Sequence, residues 1–460
     1  MLTNSQVAPA LRAALLTGGD FAEIYYQDRT SQSFTARDGR LEDALTRRIH
    51  GAGVRVFRGL NCVYVHTADA TPEGVLRAAQ RAADAVGGLP ANREIALSAH
   101  APHPLRCARI LPLSVPGARK AALLKSACAA AAAHSPSIAH VQASLSCLEE
   151  EIGIFNSEGL STGDARVRTR FAVSAVASDG AENQTGSEAP GASMGFELFE
   201  TRVDADACAR EAARTALTML RAQPCPAGRM SVVLDGGFGG VIFHEACGHS
   251  LEATSVAFGN SEFCGKLGQQ IAAPCVTAVD DGTLEGEWGS TVIDDDGLPT
   301  TRLVLIENGI LKNYMIDRLN GRRMHAAPTG SGRRQDYTFA PTSRMRNTFI
   351  APGTDDDAEM ISGVADGLYA RKMGGGSVNP ATGEFNFAVA EGYRIRRGEI
   401  CESVRGATLI GRGADILQRI DRVGKRMWMA QGMCGSLSGS VPTNVGQPRI
   451  RISEITVGGR

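Results

Sequence analysis

The chain has 460 residues, 43% of them hydrophobic, and a net charge of −1 from 48 basic and 49 acidic side chains. That length suggests two or three domains with sizeable cores, and the charge balance gives no reason to expect a nucleic-acid or anionic-membrane surface. Eleven Cys at irregular spacings, with no Cys-x-x-Cys, fit a reducing compartment better than a disulfide framework.

The chain opens on a helical stretch at 6–16, and "MLTNSQVAPALRAALL" lacks the basic start of a signal peptide. Short strand-like runs follow: "FAEIYYQ", "SQSFTAR", "LEDALTRRI", "GAGVRVFRG" and "NCVYVHT". Gly, Asp or Asn separates several of them, as an antiparallel meander needs. "TPEGVLRAAQRAADAV" reads as a helix with Thr71 as N-cap and Pro72 as its first residue. A second helix covers "GARKAALLKSACAAAAA". Residues 126–148 carry no Asp, Glu, Lys or Arg, yet Ser, His, Gln and Pro136 break the run, so no membrane span is expected. Strands resume at "IAHVQASLSCLEEEIGIFNSEG", a helix spans about 204–222, and "QPCPAG" reads as a linker. Beyond residue 228, short apolar runs alternate with Gly-rich turns, with hairpin turns at Asn308-Gly309 and Arg397-Gly398. The expected class is α+β. A mixed α/β domain with an antiparallel sheet covers 1–225, and a β-rich domain carrying one helix covers 226–460. The expected setting is a soluble cytoplasmic protein.

That one helix is "GGVIFHEACGHSLEA", and it holds the pattern His244-Glu245-x-x-x-His249. The zinc-protease pattern His-Glu-x-x-His has one residue fewer. On a regular α-helix, residues four apart lie about 40° apart around the axis and residues five apart about 140°. One metal could not take both His244 and His249 from such a helix. A π-bulge inserts one residue and returns both to one face, and Gly248 makes that distortion cheap. The spacing therefore admits two readings: a zinc site on a distorted helix, or two hydrogen-bonded core histidines with Glu245 as partner. A catalytic zinc usually keeps three protein ligands. Cys247 would point away from the shared face. Cys434, in "AQGMCGSLSGSVP", stands either as a bendable thiolate or as a small buried hydrophobe. Glu252 is either a carboxylate orienting a ligand imidazole or a helix-surface charge.

At this point the motifs resemble the TldD/PmbA family, over nearly the whole length. "RLEDA" with "GAGVRVFRG" is similar to its N-terminal part, and "HEACGHSLEA" to its His-Glu-x-x-x-His helix. "RMRNTFIAPG", "GLYARKMGGGSVNPATGEFNFAVAEGYRIRRGEI", "ATLIGRGADIL", "GMCGS" and "SVPTNVGQPRIRISEITVGG" follow in the family's order. The resemblance is to the TldD-type members that carry the metal motif. It implies a zinc metallopeptidase acting on unfolded or extended peptides, in leader-peptide removal or peptide degradation. It implies metal ligands at His244, His249 and Cys434 and a catalytic Glu245. It also implies a PmbA/TldE-type partner subunit, a homodimer being the alternative. Where the family commonly has Lys-Asp-Gly-Gln after Met-Cys-Gly, this chain has Ser436-Leu437-Ser438-Gly439. The contacts of that loop are therefore this chain's own.

In the implied chemistry Glu245 is the general base, with His325, Tyr337 and the Arg residues of "GSGRRQDYTFAPTSRMR" as candidate oxyanion donors. The stretch "KMGGGSVNP" is either a hairpin tip or a place where a peptide backbone comes close. Two rivals stand beside the metallopeptidase: a thiol hydrolase with Cys434 as nucleophile, and a binding protein without catalysis.

Overall fold

A computed structural model describes residues 2–88, 94–99, 108–379 and 381–459. Cys107, one of the eleven Cys, and Pro380, the last residue of "KMGGGSVNP", lie outside the described residues. The structure is α+β, as the sequence suggests.

The first sheet is a broad antiparallel one. Its spatial order is Asn61–Thr67, Arg40–Arg58, Phe21–Arg37, Ile138–Asn156, Leu160–Ser178. The expected short strands are fused into continuous ones of 17 and 19 residues. Two contacts explain why the polar and Gly positions do not break them. Asp28 is ion-paired across the ladder to Arg48 at 2.6 Å. Gly51 and Gly53 are close-approach sites within a strand, because a Cβ there would meet the Tyr337 ring at 2.4 Å and the Tyr64 hydroxyl at 1.9 Å. Between Phe21–Arg37 and Arg40–Arg58 the chain turns at Asp38-Gly39, where both φ angles are positive. Thr71 caps helix Pro72–Val86 by accepting from the Gly74 N–H at 3.1 Å, and Asp204 caps Ala205–Leu220 through the Ala207 N–H at 2.9 Å. The helices Asn4–Leu15 and Pro72–Val86 close one core with Ile24 and Val54, while Gly117–Ala132 and Ala205–Leu220 close another with Phe171.

A second sheet forms a closed ring. Gly228–Leu234, Ile450–Gly458, Thr408–Arg412, Glu384–Arg396 and Asp366–Val378 pair in that order, and the last pairs back onto the first. Its core includes Val232, Leu368, Phe387 and Ile452, together with Phe243, Ala246 and Cys247 of the motif helix. The stretch read as a linker is tied down: Gln223–Pro224 pairs with Glu399–Arg405, and Cys225 is buried. Lys372–Val378 of "KMGGGSVNP" lies in a strand rather than at a hairpin tip. A Cβ at Gly376 would meet the Asn386 carbonyl at 2.1 Å. Asn308-Gly309 and Arg397-Gly398 have positive φ throughout, as type I′ turns require.

A third sheet runs Ile310–Leu311, Arg302–Glu307, Ala278–Asp281, Asn347–Ile350, Gly439–Gln447, Trp428–Ser436. The last strand is its edge and carries Cys434. No helix among the described residues is long and apolar enough to cross a membrane.

Candidate metal centre

The motif lies on a helical run of changing pitch. A 3₁₀ turn at Gly237–Gly240 leads into α-helical Val241–Phe243, a π-turn at His244–Gly248 and a further 3₁₀ turn at His249–Leu251. The His249 N–H donates to the His244 carbonyl, five residues back. This is the extra-residue distortion that the spacing demands. It brings the two imidazoles to a centroid separation of 5.0 Å. The run is shorter than expected, because Glu252 adopts an extended backbone that ends it at Leu251. Two glycines seat the turn. A Cβ on Gly248 would meet Met345 Sδ at 2.2 Å, and one on Gly413 would meet the Ala246 carbonyl at 1.9 Å.

Cys434 arrives from the edge hairpin, 185 residues further along the chain than His249. Its Sγ lies 3.3 Å from Nε2 of His244 and 3.3 Å from Nε2 of His249. The three donor atoms all fall within 4.8 Å of one another. His244 and Cys434 are buried, whereas Cys247 faces the apolar core. Burial alone would raise the Cys434 thiol; the two imidazoles overturn this and bring it down to about 3. Burial likewise opposes charge on His249, and the Glu252 carboxylate with Cys434 outweighs it, holding that imidazole well above its ordinary range.

Glu252 is 2% exposed, so it is not a helix-surface charge. Its carboxylate accepts from His249 Nδ1 at 3.1 Å and from the Met345 N–H at 3.3 Å. That bond fixes which ring nitrogen of His249 faces Cys434. Glu245 is partly exposed, and its Oε2 lies 3.7 Å from His249 Nε2. It therefore borders the space between the donor atoms while keeping access to solvent.

Arg344 is the residue that sequence reading did not single out from its Arg-rich stretch. It is fully buried. Its guanidinium donates to the Cys434 carbonyl, to Ser438 Oγ at 3.2 Å and to the Gly439 carbonyl at 2.8 Å. Its Nε lies 3.8 Å from Glu252. It thereby joins the Cys434 hairpin to the carboxylate that holds His249. No spacing rule points to it; the hint is Ser438, which stands in the loop that departs from the family pattern. The other oxyanion candidates lie elsewhere. His325 is exposed at the end of helix Arg318–Met324, and Tyr337 packs on Gly51 and His66.

Two imidazole nitrogens and a thiolate converging from buried positions fit a borderline-soft divalent cation. A buried thiolate needs positive charge beside it, which protonated imidazoles or a metal would supply.

Similarity to known proteins runs along nearly the whole chain. Residues 227–459 match the PmbA/TldA metallopeptidase C-terminal domain, residues 110–220 the central domain and residues 22–86 domain 1. The chain is 37% identical over 452 residues to a metalloprotease TldD homolog of Haemophilus influenzae, covering 96% of this chain and 93% of that one. It is 33% identical over 445 residues to a metalloprotease of Methanothermobacter thermautotrophicus, covering 96% of each. A zinc metalloprotease TldD homolog of Saccharolobus solfataricus is 29% identical over 312 residues, covering 66% of this chain and 69% of that one. In fold, the crystal structure of TldE from Thermococcus kodakarensis matches with a TM-score of 0.75 at 18% identity, over 96% of this chain and 97% of that one. With these matches along nearly its whole length, the chain belongs to the PmbA/TldA metallopeptidase family and is a hydrolase of peptide bonds.

Proposed function

We propose that this chain is a zinc-dependent peptidase of extended or unfolded peptides, with His244, His249 and Cys434 as the metal ligands and Glu245 as the general base. The observation that carries the reading is the convergence of Cys434 Sγ on both imidazole Nε2 atoms at 3.3 Å. A bound zinc acidifies water and polarises a carbonyl. Glu245 takes the proton of the attacking water and delivers it to the leaving amine, and its partial exposure supports that role. Glu252 holds His249 through Nδ1, leaving Nε2 for the metal.

For the substrate, support comes from the edge position of Trp428–Ser436, the strand that carries Cys434. The carbonyls of Gln431, Gly432 and Cys434 already accept from Arg170, Trp288 and Arg344, so an extended peptide would pair with the remaining main-chain groups of this edge, a mode that favours unfolded segments over folded proteins. Leader-peptide removal and peptide degradation both suit that mode. The fold similarity to TldE supports a PmbA/TldE-type chain as partner, with a homodimer as the alternative. A division near residues 225 and 226 into an α/β domain and a β-rich catalytic domain is part of the same reading.

The thiolate character of Cys434 also suits a thiol nucleophile with His244 or His249 as its base. A chelator and a thiol alkylator, applied to metal-loaded enzyme, separate the two readings. Inhibition by the chelator alone is expected.

The decisive experiment is elemental mass spectrometry on the wild type, Cys434→Ser and Glu245→Gln, purified side by side and assayed on an extended peptide. We expect about one zinc per chain in the wild type, a clear loss in Cys434→Ser, and full zinc without cleavage in Glu245→Gln. Equal zinc in all three would remove Cys434 from the ligand set. Normal turnover by Glu245→Gln would remove the general base.

A further inference from the structure

The hairpin that carries Cys434 has a second face. Side chains alternate along a strand, so Met433 and its cross-strand partner Pro442 lie on the side of the ribbon opposite Cys434. Both line a cavity of about 310 Å³ between the hairpin and the first sheet. Ser146, exposed, and Met433, 51% exposed, also line it and place it in reach of solvent.

The lining of this cavity has an excess of positive charge. Seven Arg and three carboxylates contribute to it. Three of the Arg are committed to acids: Arg29 to Glu150 and Asp336, Arg166 to Asp164 and Asp295, and Arg334 to Glu23. The other four have no carboxylate within salt-bridge distance among the described residues. Arg168 donates to the Trp288 carbonyl, Arg170 to the carbonyls of Ala189 and Gln431, and Arg333 to those of Met345 and Pro442. Arg346 reaches Thr291 Oγ1 at 3.4 Å, and one of its terminal nitrogens, Nη2, is buried with no hydrogen-bond partner among the described residues. Arg168, Arg333 and Arg346 are each less than 10% exposed.

A buried guanidinium without a paired carboxylate is costly, and three of these four are buried, Arg170 being half-buried. Burial depresses all four from the ordinary guanidinium range; the neighbouring Arg deepen this for Arg168 and Arg333, while Asp294, Asp280 and Asp295 oppose it for Arg346. None of them is among the proposed metal ligands or the general base. Planar guanidinium forks match the oxygens of carboxylates and phosphates.

We propose that this cavity binds a small organic anion carrying two or more oxyanion groups, held by Arg168, Arg170, Arg333 and Arg346. The site lies across the ribbon from the metal centre and does not depend on the peptidase reading. Carboxylate and phosphate oxygens share this chemistry, so the source is decided by comparing a tricarboxylate with a polyphosphate.

The test uses the full chain in its metal-loaded form. Thermal unfolding is followed against citrate and against pyrophosphate, each at an ionic strength matched with sodium chloride, and affinity is measured by calorimetry. Wild-type Tm is expected to rise with the concentration of one of the two anions beyond the chloride control. The anion with the larger shift identifies the source. Arg168→Met and Arg346→Met are each expected to weaken binding by about tenfold or more, since each removes a charge-assisted contact. Leu148→Trp fills the cavity without altering its charge and is expected to abolish binding while leaving the zinc content unchanged. No wild-type response beyond chloride overturns the site. So does an equal response in the wild type and in Leu148→Trp, whatever the Arg variants do.

Discussion

Glu252 shows how much a single side chain can carry. The sequence places a carboxylate three residues after His249, and that spacing leaves a positioning role and a surface role equally open. Burial decides between them: the group is 2% exposed and bonded to His249 Nδ1. No local pattern announces that burial, because it comes from Met345 and Arg344, more than 90 residues away in the chain. Glu252→Gln keeps an oxygen for the imidazole but removes the charge that favours its donor tautomer. Metal affinity is expected to fall about 10- to 100-fold, in the range found for outer partners of ligating histidines. A competition titration against a chromophoric chelator measures it, and an unchanged dissociation constant would reduce Glu252 to a packing residue. The Glu252→Ala variant should fare worse, because Arg344 would then lose the nearest carboxylate to its Nε.

At the scale of elements, the motif helix was the most legible part of the chain. Five-residue spacing of His244 and His249 cannot serve one metal on a regular helix, and the π-turn is the geometry that answers it. The strands were less legible. Gly51 and Gly53 look like breaks, yet they are strand interiors against which Tyr337 and Tyr64 pack, and a sequence does not print its long-range neighbours. The same limit hides what holds the π-turn. Gly413 presses on the Ala246 carbonyl, between the two histidines, so the turn is fixed by a residue 167 positions away. Gly413→Ala has no room for its methyl and must displace the turn or the start of its own helix, Gly413–Arg419. Overpacking of this kind costs roughly 1–3 kcal/mol. The expected result is a lowered denaturant midpoint together with reduced zinc content, since moving Ala246 moves both imidazoles. Gly435→Ala is the control: its Cβ would enter open space beside Cys434, and both quantities should stay at wild-type values. A Gly413→Ala protein with normal zinc would mean that the turn holds its shape without that contact.

Across the whole molecule, the first sheet meets the loops around residues 294–296 and Arg334 through buried charge, beside a small apolar cluster of Tyr25, Ile152, Ile154 and Ile293. Arg55 and Glu23 from the first sheet meet Asp296, and Arg334 bonds Glu23 at 2.8 Å and the Asp295 carbonyl at 2.7 Å. Such residues look like surface charges in a sequence, which is why this junction was not foreseen. Asp294 has a distinct place in it. Its carboxyl accepts from the Asp296, Leu298 and Gly332 N–H groups. Burial, then the nearby Asp296 carboxylate, push it up to about 7, with Arg346 pulling the other way. The sign of the pH effect follows. An unfolded Asp ionises near 3.9, so between about 4 and 7 the folded state binds the extra proton. Stability from this group must therefore fall as pH rises through that window, by at most about 1.4 kcal/mol per pH unit, the limit for one proton. Below the window both states are protonated and above it both are ionised, so the slope vanishes at either end. Asp294→Asn cannot titrate, and subtracting its stability from that of the wild type cancels the groups that do not interact with Asp294, the histidines included. Urea midpoints for the two proteins at pH 5, 6, 7 and 8 give the comparison. The difference is expected to move steadily against the wild type from pH 5 to 7 and to level off by pH 8, on top of a constant offset from the lost Gly332 bond. A difference that stays flat across the series would mean that Asp294 is ionised in the folded protein and that Arg346 compensates it.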